Sequence, residues 1–330
     1  MPPEHHIGTK FRNLEVAVKP SLGDIFRWLF RHRPKPWPKS VNTNSHPPPP
    51  ASVASGELAV TFIGHSSFLL QFPGGAVLTD PIFSKRASPV SWAGPKRVCP
   101  PGLRFKQLPH IGLVLISHDH YDHMDLKTLR RLRKTFHPLF VTGLKNGPLL
   151  RSLKIKQAVE LDWWQSYRVN ATTTVTMTPA QHFSGRWLGR RNTTLWGGFV
   201  LEMEGSRLYF AGDSGYAGHF REIGRRFPGL DLAFIPIGAY EPRWFMRTVH
   251  MNPAEAVQAH IDLGARQSIG MHFGTFQLTD EAIDEPVQWL ERARAEKCLA
   301  PEEFRVLEPG QTMLCRKPEP AHGPEAGRIS

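Results

Sequence analysis

The sequence predicts an α/β fold in which two β-sheets lie between outer helices, an αββα four-layer sandwich. Strand-like segments come in two runs, and each run is followed by a helix-like segment, a pattern typical of sheets covered by helices. Thirty prolines and 28 glycines in 330 residues indicate many turns, which disfavours a helical bundle or a coiled coil. A chain that is 40% hydrophobic and 21% charged is not wholly disordered, and no apolar run reaches the roughly 18 residues of a membrane-spanning helix.

The first run of segments predicts a β-meander with strands at residues 58–63, 67–72 and 76–79. Residues 111–116 are almost continuously apolar and predict a buried strand. Residues 124–134 predict a basic amphipathic helix, with Leu126, Leu129 and Leu132 facing inward.

The second run predicts strands at residues 172–177, 198–203, 207–210 and 232–235. Asn252, Pro253 and Glu255 then supply a helix N-cap, a proline at the first helical position and a glutamate three residues after the cap. We expect that helix to end at Gly264 and a last strand to follow at residues 267–271.

Three regions are predicted from composition: an N-terminal extension at residues 1–56, a main domain at 57–317 and a polar, flexible tail at 318–330. Within the extension, residues 21–33 predict a short amphipathic helix, and the proline-rich residues 46–56 predict a linker. The apolar stripe of the helix, flanked by Trp28, consists of Leu22, Ile25, Phe26, Leu29 and Phe30. Such a stripe can pack on the main domain or lie on a bilayer surface.

The formal net charge of +12 is concentrated in one part of the chain. Residues 85–156 contain 15 lysines and arginines against three aspartates, whereas the rest of the chain is balanced. A field of this kind attracts polyanions such as nucleic acid, an anionic membrane or a phosphate-bearing substrate. A solubilising surface is the plainer interpretation, and composition alone does not choose between them.

The three cysteines, Cys99, Cys298 and Cys315, are too far apart in sequence to form a metal-binding pair motif. They are interpreted as reduced thiols of a cytoplasmic protein. The first residues lack the charged start and apolar stretch of a secretory signal.

The most informative segment is Ser-His-Asp-His-Tyr-Asp-His-Met-Asp at residues 117–125. It follows a predicted buried strand directly, which places it at the carboxyl end of that strand. Alternate residues project to one side, so His118 and His120 face a common point. Asp122 and His123 begin the next helix and can turn toward a neighbouring point. Neutral imidazoles with a carboxylate suit zinc, and this many His and Asp side chains would be costly to bury without a cation.

Three further candidate ligands also end predicted strands: His182, Asp213 and His272. Gly212 lets the backbone before Asp213 approach a metal closely. A lone histidine at a strand end is usually structural. Three strand-end side chains in register with a metal loop indicate a shared metal centre.

This pattern, HxHxDH with a later His, Asp and His, resembles the metallo-β-lactamase superfamily, whose fold is an αββα sandwich that holds two zinc ions. The resemblance implies two Zn²⁺ per chain. It places His118, His120 and His182 on the first zinc. It places Asp122, His123 and His272 on the second zinc, with Asp213 bridging the two. Asp80 matches the aspartate that orients the metal-binding loop in that superfamily.

A narrower resemblance covers most of residues 57–312. It is carried by Ile-Gly-His-Ser at 63–66, Leu-Thr-Asp-Pro-Ile-Phe at 78–83, Leu-Trp-Gly-Gly at 195–198, His-Phe-Gly-Thr-Phe at 272–276, and the longer strings at 86–97, 178–182 and 235–246. These strings look like the N-acyl-phosphatidylethanolamine-hydrolysing phospholipase D family. The segment before residue 57 is short and proline-rich and departs from that pattern.

The resemblance implies a zinc-dependent phosphodiesterase of the phospholipase D type, which would release N-acylethanolamine and phosphatidic acid from N-acyl-phosphatidylethanolamine-like lipids. Two zinc ions about 3.5–4 Å apart would hold a bridging hydroxide that attacks phosphorus in line. The candidate catalytic residues are Asp122, Asp213 and His250, and the candidate substrate contacts are Tyr240, Arg243 and Trp244. His250 is expected either to contact the phosphate or to act as a general acid.

The implied partners are a phospholipid and an anionic membrane surface, to which a cytoplasmic protein would bind peripherally on its inner face. Nucleic acid is not favoured, because no nucleic-acid-binding module is appended, and a homodimer is left open. We expect the helix of the extension to pack beside the active-site mouth with its aromatic edge free to touch lipid.

Another hydrolase of the same fold, such as a sugar-phosphate lactonase or a nuclease, is the alternative function. A non-catalytic descendant that binds a membrane or a partner is disfavoured, because every expected ligand is present.

Overall fold

The computed structural model describes residues 4–18, 21–31, 33–186 and 190–316. The predicted tail at 318–330 lies outside the described residues. The described part of the chain begins with a short antiparallel hairpin made of β1 (His6–Ile7) and β2 (Lys10–Phe11). The helix predicted in the extension is present as α1 (Leu22–Arg31).

The first large sheet has seven strands. They are β3 (Glu57–Gly64), β4 (Ser67–Phe72), β5 (Gly75–Thr79), β6 (Leu113–Ile116), β7 (Leu139–Gly143), β8 (Ala158–Leu161) and β16 (Thr312–Arg316), in the order β16-β3-β4-β5-β6-β7-β8. The predicted meander is confirmed, because β3, β4 and β5 pair antiparallel. From β5 to β8 the strands are parallel. The edge strand β16 comes from the far end of the chain, and the sequence pattern did not predict it.

The second large sheet also has seven strands. They are β9 (Ser166–Arg168), β10 (Thr173–Thr178), β11 (Gly198–Met203), β12 (Ser206–Phe210), β13 (Leu232–Pro236), β14 (Gln267–Met271) and β15 (Phe304–Arg305), in the order β15-β14-β13-β12-β11-β10-β9. Strands β9 to β12 pair antiparallel, and β12 to β15 pair parallel.

The two sheets pack face to face through aromatic side chains, with the ring centroids of Phe68 and Phe234 4.6 Å apart. Strand β6 shows how one strand serves two layers. Its side chains alternate by the period of two that a strand imposes. Leu113 and Leu115 pack between the sheets, and Val114 packs beneath the outer helices.

Helices cover the outer faces. The remaining ones are α2 (Leu126–Phe136), α3 (Gly147–Ser152), α4 (His219–Arg226), α5 (Arg243–Met246), α6 (Pro253–Leu263) and α7 (Glu285–Glu296). Helices α2 and α3 pack on the first sheet, and α4, α6 and α7 pack on the second. The predicted αββα sandwich is therefore confirmed.

The sequence signals at helix ends worked as expected in α6. Asn252 accepts a hydrogen bond from the Glu255 N–H, and the Glu255 carboxylate accepts one from the Asn252 N–H. Gly264 ends the helix with φ of 60°, which a residue without a Cβ adopts without strain.

The residues between α1 and β3, which include the predicted linker at 46–56, contact the surface of the domain. The Trp37 indole donates to the Glu281 carbonyl at 2.9 Å, His46 Nε2 lies 2.9 Å from Glu308 Oε2, and the Gln71 amide donates to the Pro50 carbonyl at 2.8 Å. The limits of the three predicted regions stay a prediction.

Candidate metal centre

The carboxyl ends of six strands meet at one edge of the sandwich. In the first sheet β3, β5 and β6 run in the same direction, because β4 is antiparallel to both of its neighbours and β6 is parallel to β5. By the same reasoning β10, β12 and β14 share one direction in the second sheet. The side chains that follow these ends are His65, Asp80, the segment from Ser117, His182, Asp213 and His272.

Asp213 stands at the centre of this edge. Its Oδ2 atom lies 3.1 Å from Nε2 of His123 and 3.1 Å from Nε2 of His272. The same oxygen lies 3.8 Å from Nε2 of His118 and 3.7 Å from Nε2 of His182. One carboxylate oxygen therefore faces imidazoles of both sets that the resemblance implied.

Two groups of four side chains could each hold a metal ion, with the ligand atoms of each group within 4.8 Å of one another. The first group is His118, His120, His182 and Asp213, and the second is His65, Asp122, His123 and His272. All seven predicted ligands fall into these groups. Together the two groups are called the central clusters below.

His65 is the member of the central clusters to which the sequence reasoning gave no role. Its Nε2 lies 2.9 Å from Asp122 Oδ2, and its backbone has φ of 58°. The topology carried a signal for it, because His65 follows β3 as the other ligands follow their strands. Burial, followed by the neighbouring His272, lowers the pKa of His65 to about 3.

Asp80 has the orienting contacts that the resemblance implied. Its Oδ1 accepts from the Ser117 N–H at 2.7 Å, and its Oδ2 accepts from the Ser117 hydroxyl at 2.5 Å. The same Oδ2 lies 2.6 Å from Nδ1 of His123. A hydrogen bond at Nδ1 directs Nε2 of His123 toward Asp213, which is how outer partners commonly orient a metal-binding imidazole.

Unpaired buried atoms test whether a metal fits this site. Among the described residues, His123 Nε2, His272 Nε2 and Asp213 Oδ1 are buried without a hydrogen-bond partner. Buried polar atoms are rarely left unpaired. Two of these atoms belong to imidazoles that face Asp213, and the third belongs to Asp213 itself. The donor set of imidazole nitrogens and carboxylate oxygens is one that borderline divalent metals accept. The residues fit a pair of metal ions.

The protonation states agree with that fit. Burial lowers the pKa of His118 and His182 well below the ordinary value. Burial raises the pKa of Asp122 and Asp213, but the neighbouring imidazoles, His123 first among them, together outweigh it and hold both pKa values well below the ordinary value. Burial lowers the pKa of His123 too, yet the surrounding carboxylates raise it well above the ordinary value. The carboxylates thus favour a positive charge between them, which a metal supplies.

A cavity of about 380 Å³ opens onto the central clusters. His120, Asp122, Asp213 and His272 line its polar end. Its apolar wall is formed by Ala17, Val18, Trp244, Phe245, Met246 and Leu278.

Two of the other predicted site residues line this cavity. The His250 ring centroid lies 5.1 Å from that of His182 and 5.3 Å from that of His272, and Nδ1 of His250 is buried without a partner among the described residues. Burial lowers the pKa of His250 to about 3, so its imidazole is neutral near neutral pH. Trp244 is 42% exposed, and the Arg27 guanidinium lies 4.5 Å from its ring centroid.

Tyr240 and Arg243, predicted as substrate contacts, have other contacts in the structure. Tyr240 is fully buried, with its ring 5.2 Å from that of Trp289. Arg243 forms a two-pronged ion pair with Glu255 at 2.7 and 2.9 Å and donates to the His250 carbonyl at 2.9 Å. Neither lines the cavity. Arg243 thus helps to hold the loop that carries Trp244 and His250. The role of Tyr240 and Arg243 as substrate contacts stays a prediction.

Two further residues reach the site without a sequence signal. Asn13 is buried and brackets His182, donating to its carbonyl at 2.9 Å and accepting from its N–H at 3.1 Å. Arg191 lines the cavity with its guanidinium 4.1 Å from the Phe183 ring centroid. Among the described residues, the Nε atom of Arg191 is buried without a hydrogen-bond partner, and burial lowers the pKa of its guanidinium.

A family model described as a beta-lactamase superfamily domain matches residues 76–273. The chain belongs to the beta-lactamase superfamily. N-acyl-phosphatidylethanolamine-hydrolyzing phospholipase D 1 of Caenorhabditis elegans is 37% identical over 286 residues, which are 81% of this chain and 80% of that protein. The mitochondrial N-acyl-phosphatidylethanolamine-hydrolyzing phospholipase D of Saccharomyces cerevisiae is 34% identical over 253 residues, 73% of this chain and 54% of that protein.

An uncharacterized protein of Mycobacterium tuberculosis is 44% identical over 241 residues, and the match covers 72% of this chain but 64% of that protein. The chain thus spans less than two thirds of this relative's length. A metal-dependent hydrolase of Rubrobacter xylanophilus is 30% identical over 263 residues, which are 78% of this chain and 97% of that protein. The predicted membership of this superfamily is confirmed, and the relatives that match include a protein named as a metal-dependent hydrolase.

Solved structures agree on the fold. Isothiocyanate hydrolase from Delia radicum gut bacteria has a TM-score of 0.62 at 19% identity, covering 77% of this chain and 98% of that one. A metallo hydrolase of Ignicoccus hospitalis has a TM-score of 0.58 at 21% identity, covering 79% of this chain and 100% of that one. Within the described ranges, no helix has both the length and the apolar character needed to cross a membrane.

Proposed function

We propose that the chain is a zinc-dependent phosphodiesterase of the phospholipase D type that converts N-acyl-phosphatidylethanolamine-like lipids to N-acylethanolamine and phosphatidic acid. The observation that carries the proposal is the cavity, which joins the central clusters to an apolar wall. A phosphodiester beside acyl chains has the matching division into a charged part and an apolar part. The relatives named for this activity support the same substrate class.

The central clusters would hold two Zn²⁺ ions, one in each group, with Asp213 shared between them. Bound zinc supplies a nucleophile from water near neutral pH and neutralises charge on phosphoryl oxygens. The net reaction adds the water oxygen to phosphorus and breaks the bond from phosphorus to the ethanolamine oxygen, which takes a proton.

His250 and Arg191 are the chain's own groups for the phosphate. The Nδ1 atom of His250 is buried and unpaired among the described residues, so it is available to a phosphoryl oxygen. Because its neutral imidazole can donate one hydrogen bond without carrying a charge, we favour the phosphate contact over the general acid role. Arg191 supplies a positive charge at the cavity wall, and a guanidinium matches phosphate geometry.

The extension would place the cavity mouth at a membrane surface. In α1, Trp28 stacks on Phe245 with ring centroids 5.6 Å apart, while Phe26 is 57% and Phe30 is 83% exposed. The remaining stripe side chains, Leu22, Ile25 and Leu29, lie outside the described side chains. These contacts fit a helix that docks beside the cavity and turns aromatic rings outward, on a protein that binds the inner face of a membrane peripherally from the cytoplasm.

A basic groove supports the second candidate, a nuclease. A cavity of about 1200 Å³ lies beside the metal-binding loop, and its lining includes Lys85, Arg86, Lys127 and Arg130 together with Asp119. A cationic groove next to a phosphodiester-cleaving centre would also accept a nucleic acid backbone.

One activity panel separates these functions. Zinc-loaded protein is assayed with vesicles of N-acyl-phosphatidylethanolamine, with a phosphorylated lactone and with single-stranded RNA. We expect N-acylethanolamine and phosphatidic acid from the vesicles and no turnover of the other two. Hydrolysis of RNA without lipid hydrolysis would replace the proposal with the nuclease.

The phosphate contact is tested in the same assay with Arg191→Gln. Loss of a charge-assisted contact of about 1.5–3 kcal/mol should lower kcat/KM by roughly 10–100-fold. Arg292→Gln, on the exposed face of α7, is the matched control and should leave kcat/KM unchanged. Equal effects of the two substitutions would remove Arg191 from the proposal.

A further inference from the structure

A second group of metal-binding side chains lies away from the cavity. His5 and His6 are neighbours at the start of the described chain, and Asp162 directly follows β8. One ring nitrogen of each histidine and one carboxylate oxygen lie within 4.8 Å of one another. We call His5, His6 and Asp162 the outer cluster. None of its members belongs to the central clusters.

Both imidazoles are aimed at the same carboxylate. His5 Nε2 lies 2.6 Å from Asp162 Oδ1, and His6 Nε2 lies 3.1 Å from Asp162 Oδ2. Adjacent residues of an extended strand point to opposite faces. Here His5 lies in the turn before β1, so both rings turn toward Asp162. Their ring centroids are 4.6 Å apart.

The surroundings hold these side chains in place. The His5 ring stacks on Trp163 with centroids 4.4 Å apart. The Trp163 N–H donates to Asp162 Oδ1 at 2.8 Å. Metal-binding carboxylates are commonly hydrogen-bonded in this way by an outer partner. The His5 side chain is 7% exposed, whereas those of His6 and Asp162 are 24% and 21% exposed, which leaves room for water as a fourth ligand.

We propose that the outer cluster is a third metal site, for a borderline divalent ion such as Zn²⁺. Two imidazoles and a carboxylate are a common ligand set for zinc with one open position. Around a tetrahedral zinc the ligand atoms stand about 3.4 Å apart, so the two nitrogens and the carboxylate need only small side-chain rotations.

The site would fasten a segment that reaches the central clusters. Residues 4–18 form a strap that runs from the outer cluster to the cavity wall at Ala17 and Val18. Along the strap, the Phe11 N–H donates to the Asn192 carbonyl at 2.8 Å, and Asn13 brackets His182. A metal at the outer cluster therefore anchors the beginning of the strap that supports a central ligand.

The test is a metal count on protein without a histidine tag. Wild type, His6→Ala and Asp162→Asn are stripped with a chelator, titrated with Zn²⁺ against a competing indicator, and measured by elemental analysis. We expect each variant to bind one equivalent less than wild type. The difference between the proteins is the readout, so the result does not depend on how many ions the central clusters hold or on the proposed lipid substrate.

His110→Ala is the matched control, because His110 is exposed and belongs to none of the metal-binding groups found among the described residues. It should keep the wild-type count. His6 is chosen because it is more exposed than His5, so its removal is less damaging to folding. Equal counts for wild type, His6→Ala and Asp162→Asn would overturn the proposal and leave the contacts as ordinary hydrogen bonds.

Limited proteolysis gives a readout for the fastening itself. Filling the outer cluster with Zn²⁺ should slow cleavage within residues 4–18 in wild type and not in His6→Ala. Equal protection in the two proteins would overturn the fastening role.

Discussion

The central clusters and the strap reach the same site by different physical routes. The ligands of the central clusters stand at strand ends, where hydrogen-bonded ladders fix the position of each side chain. In contrast, the strap contains a hairpin of two strands with two residues each and is otherwise held by contacts with distant residues. The comparison teaches that the sheets supply the candidate metal ligands, whereas the extension lines the cavity and supports one of them.

The largest effect is expected from removing the Asp213 carboxylate, which contacts imidazoles of both groups. Asp213→Asn should impair both metal positions and abolish turnover, a loss beyond the roughly 10–100-fold caused by removing an outer partner of a ligand. His118→Ala and His272→Ala should each lose one ion preferentially, because they belong to different groups. Elemental analysis after desalting measures the outcome. A full metal complement in all three variants would refute the ligand assignment.

Asn13→Ala is expected to have the next largest effect. It leaves the buried N–H and carbonyl of His182 without partners, which costs about 1–3 kcal/mol for each group. Zinc affinity of the first group should fall roughly 10–100-fold, and the melting temperature should fall with it. The control Asn44→Ala removes an exposed asparagine of the extension that donates to Glu308. If both substitutions have the same small effect, the strap does not support His182.

We expect a buried histidine of the sandwich, His219 in α4, to make the free energy of unfolding decrease at acidic pH. Burial lowers the pKa of His219 to about 3, against about 6.5 in the unfolded chain. As pH falls below about 6.5, the unfolded chain takes up the proton before the folded chain does. The contribution of His219 to the free energy of unfolding is therefore at its maximum above that pH. It then decreases by up to about 1.4 kcal/mol per pH unit toward the folded pKa.

Chemical unfolding of metal-free protein at about pH 7.5 and about pH 5 measures this contribution. Between the two pH values, the free energy of unfolding should decrease less for His219→Gln than for wild type. The other histidines titrate in both proteins, so their effect is absent from the difference between the two. His110→Gln, at an exposed position, should behave as wild type. Identical losses for His219→Gln and wild type would contradict the assignment.

The two faces of α1 should give separable effects. Phe26→Ser with Phe30→Ser should raise the apparent KM on lipid vesicles several-fold and leave the melting temperature unchanged, because both rings are exposed. Trp28→Ala should lower the melting temperature, because it removes the stack on Phe245, worth about 0.5–1.5 kcal/mol beyond buried area. A soluble phosphodiester is the control substrate for the double variant. Unchanged vesicle kinetics would leave α1 as a packing element only.

The smallest expected effect concerns the basic helix α2. Arg130→Glu with Lys134→Glu should weaken binding to anionic vesicles more at low salt than at high salt, because exposed charges are screened over about 8–10 Å at physiological ionic strength. Vesicle sedimentation at two salt concentrations measures it, with Arg292→Glu on α7 as the control. Salt-independent or unchanged binding would make α2 a solubilising surface.

Several features were readable in the sequence because their signals are local. The meander, the capped helix α6 and the segment from Ser117 each depend on residues close together in the chain. His182, Asp213 and His272 were found because a polar side chain after a strand is itself a local pattern. Strand β16 was missed, because its pairing partner β3 lies far away in sequence.

The sequence by itself determined the fold class, the superfamily and the residue types of a metal centre. Only the tertiary structure decided that His65 lies among the candidate ligands, that Asn13 holds His182, that Tyr240 is buried and that Arg243 pairs with Glu255. The physical reason is range. Periodicity, caps and ligand spacing act within a few residues, whereas burial, ion pairing and the contacts of an irregular strap depend on which distant segments the folded sheets bring together.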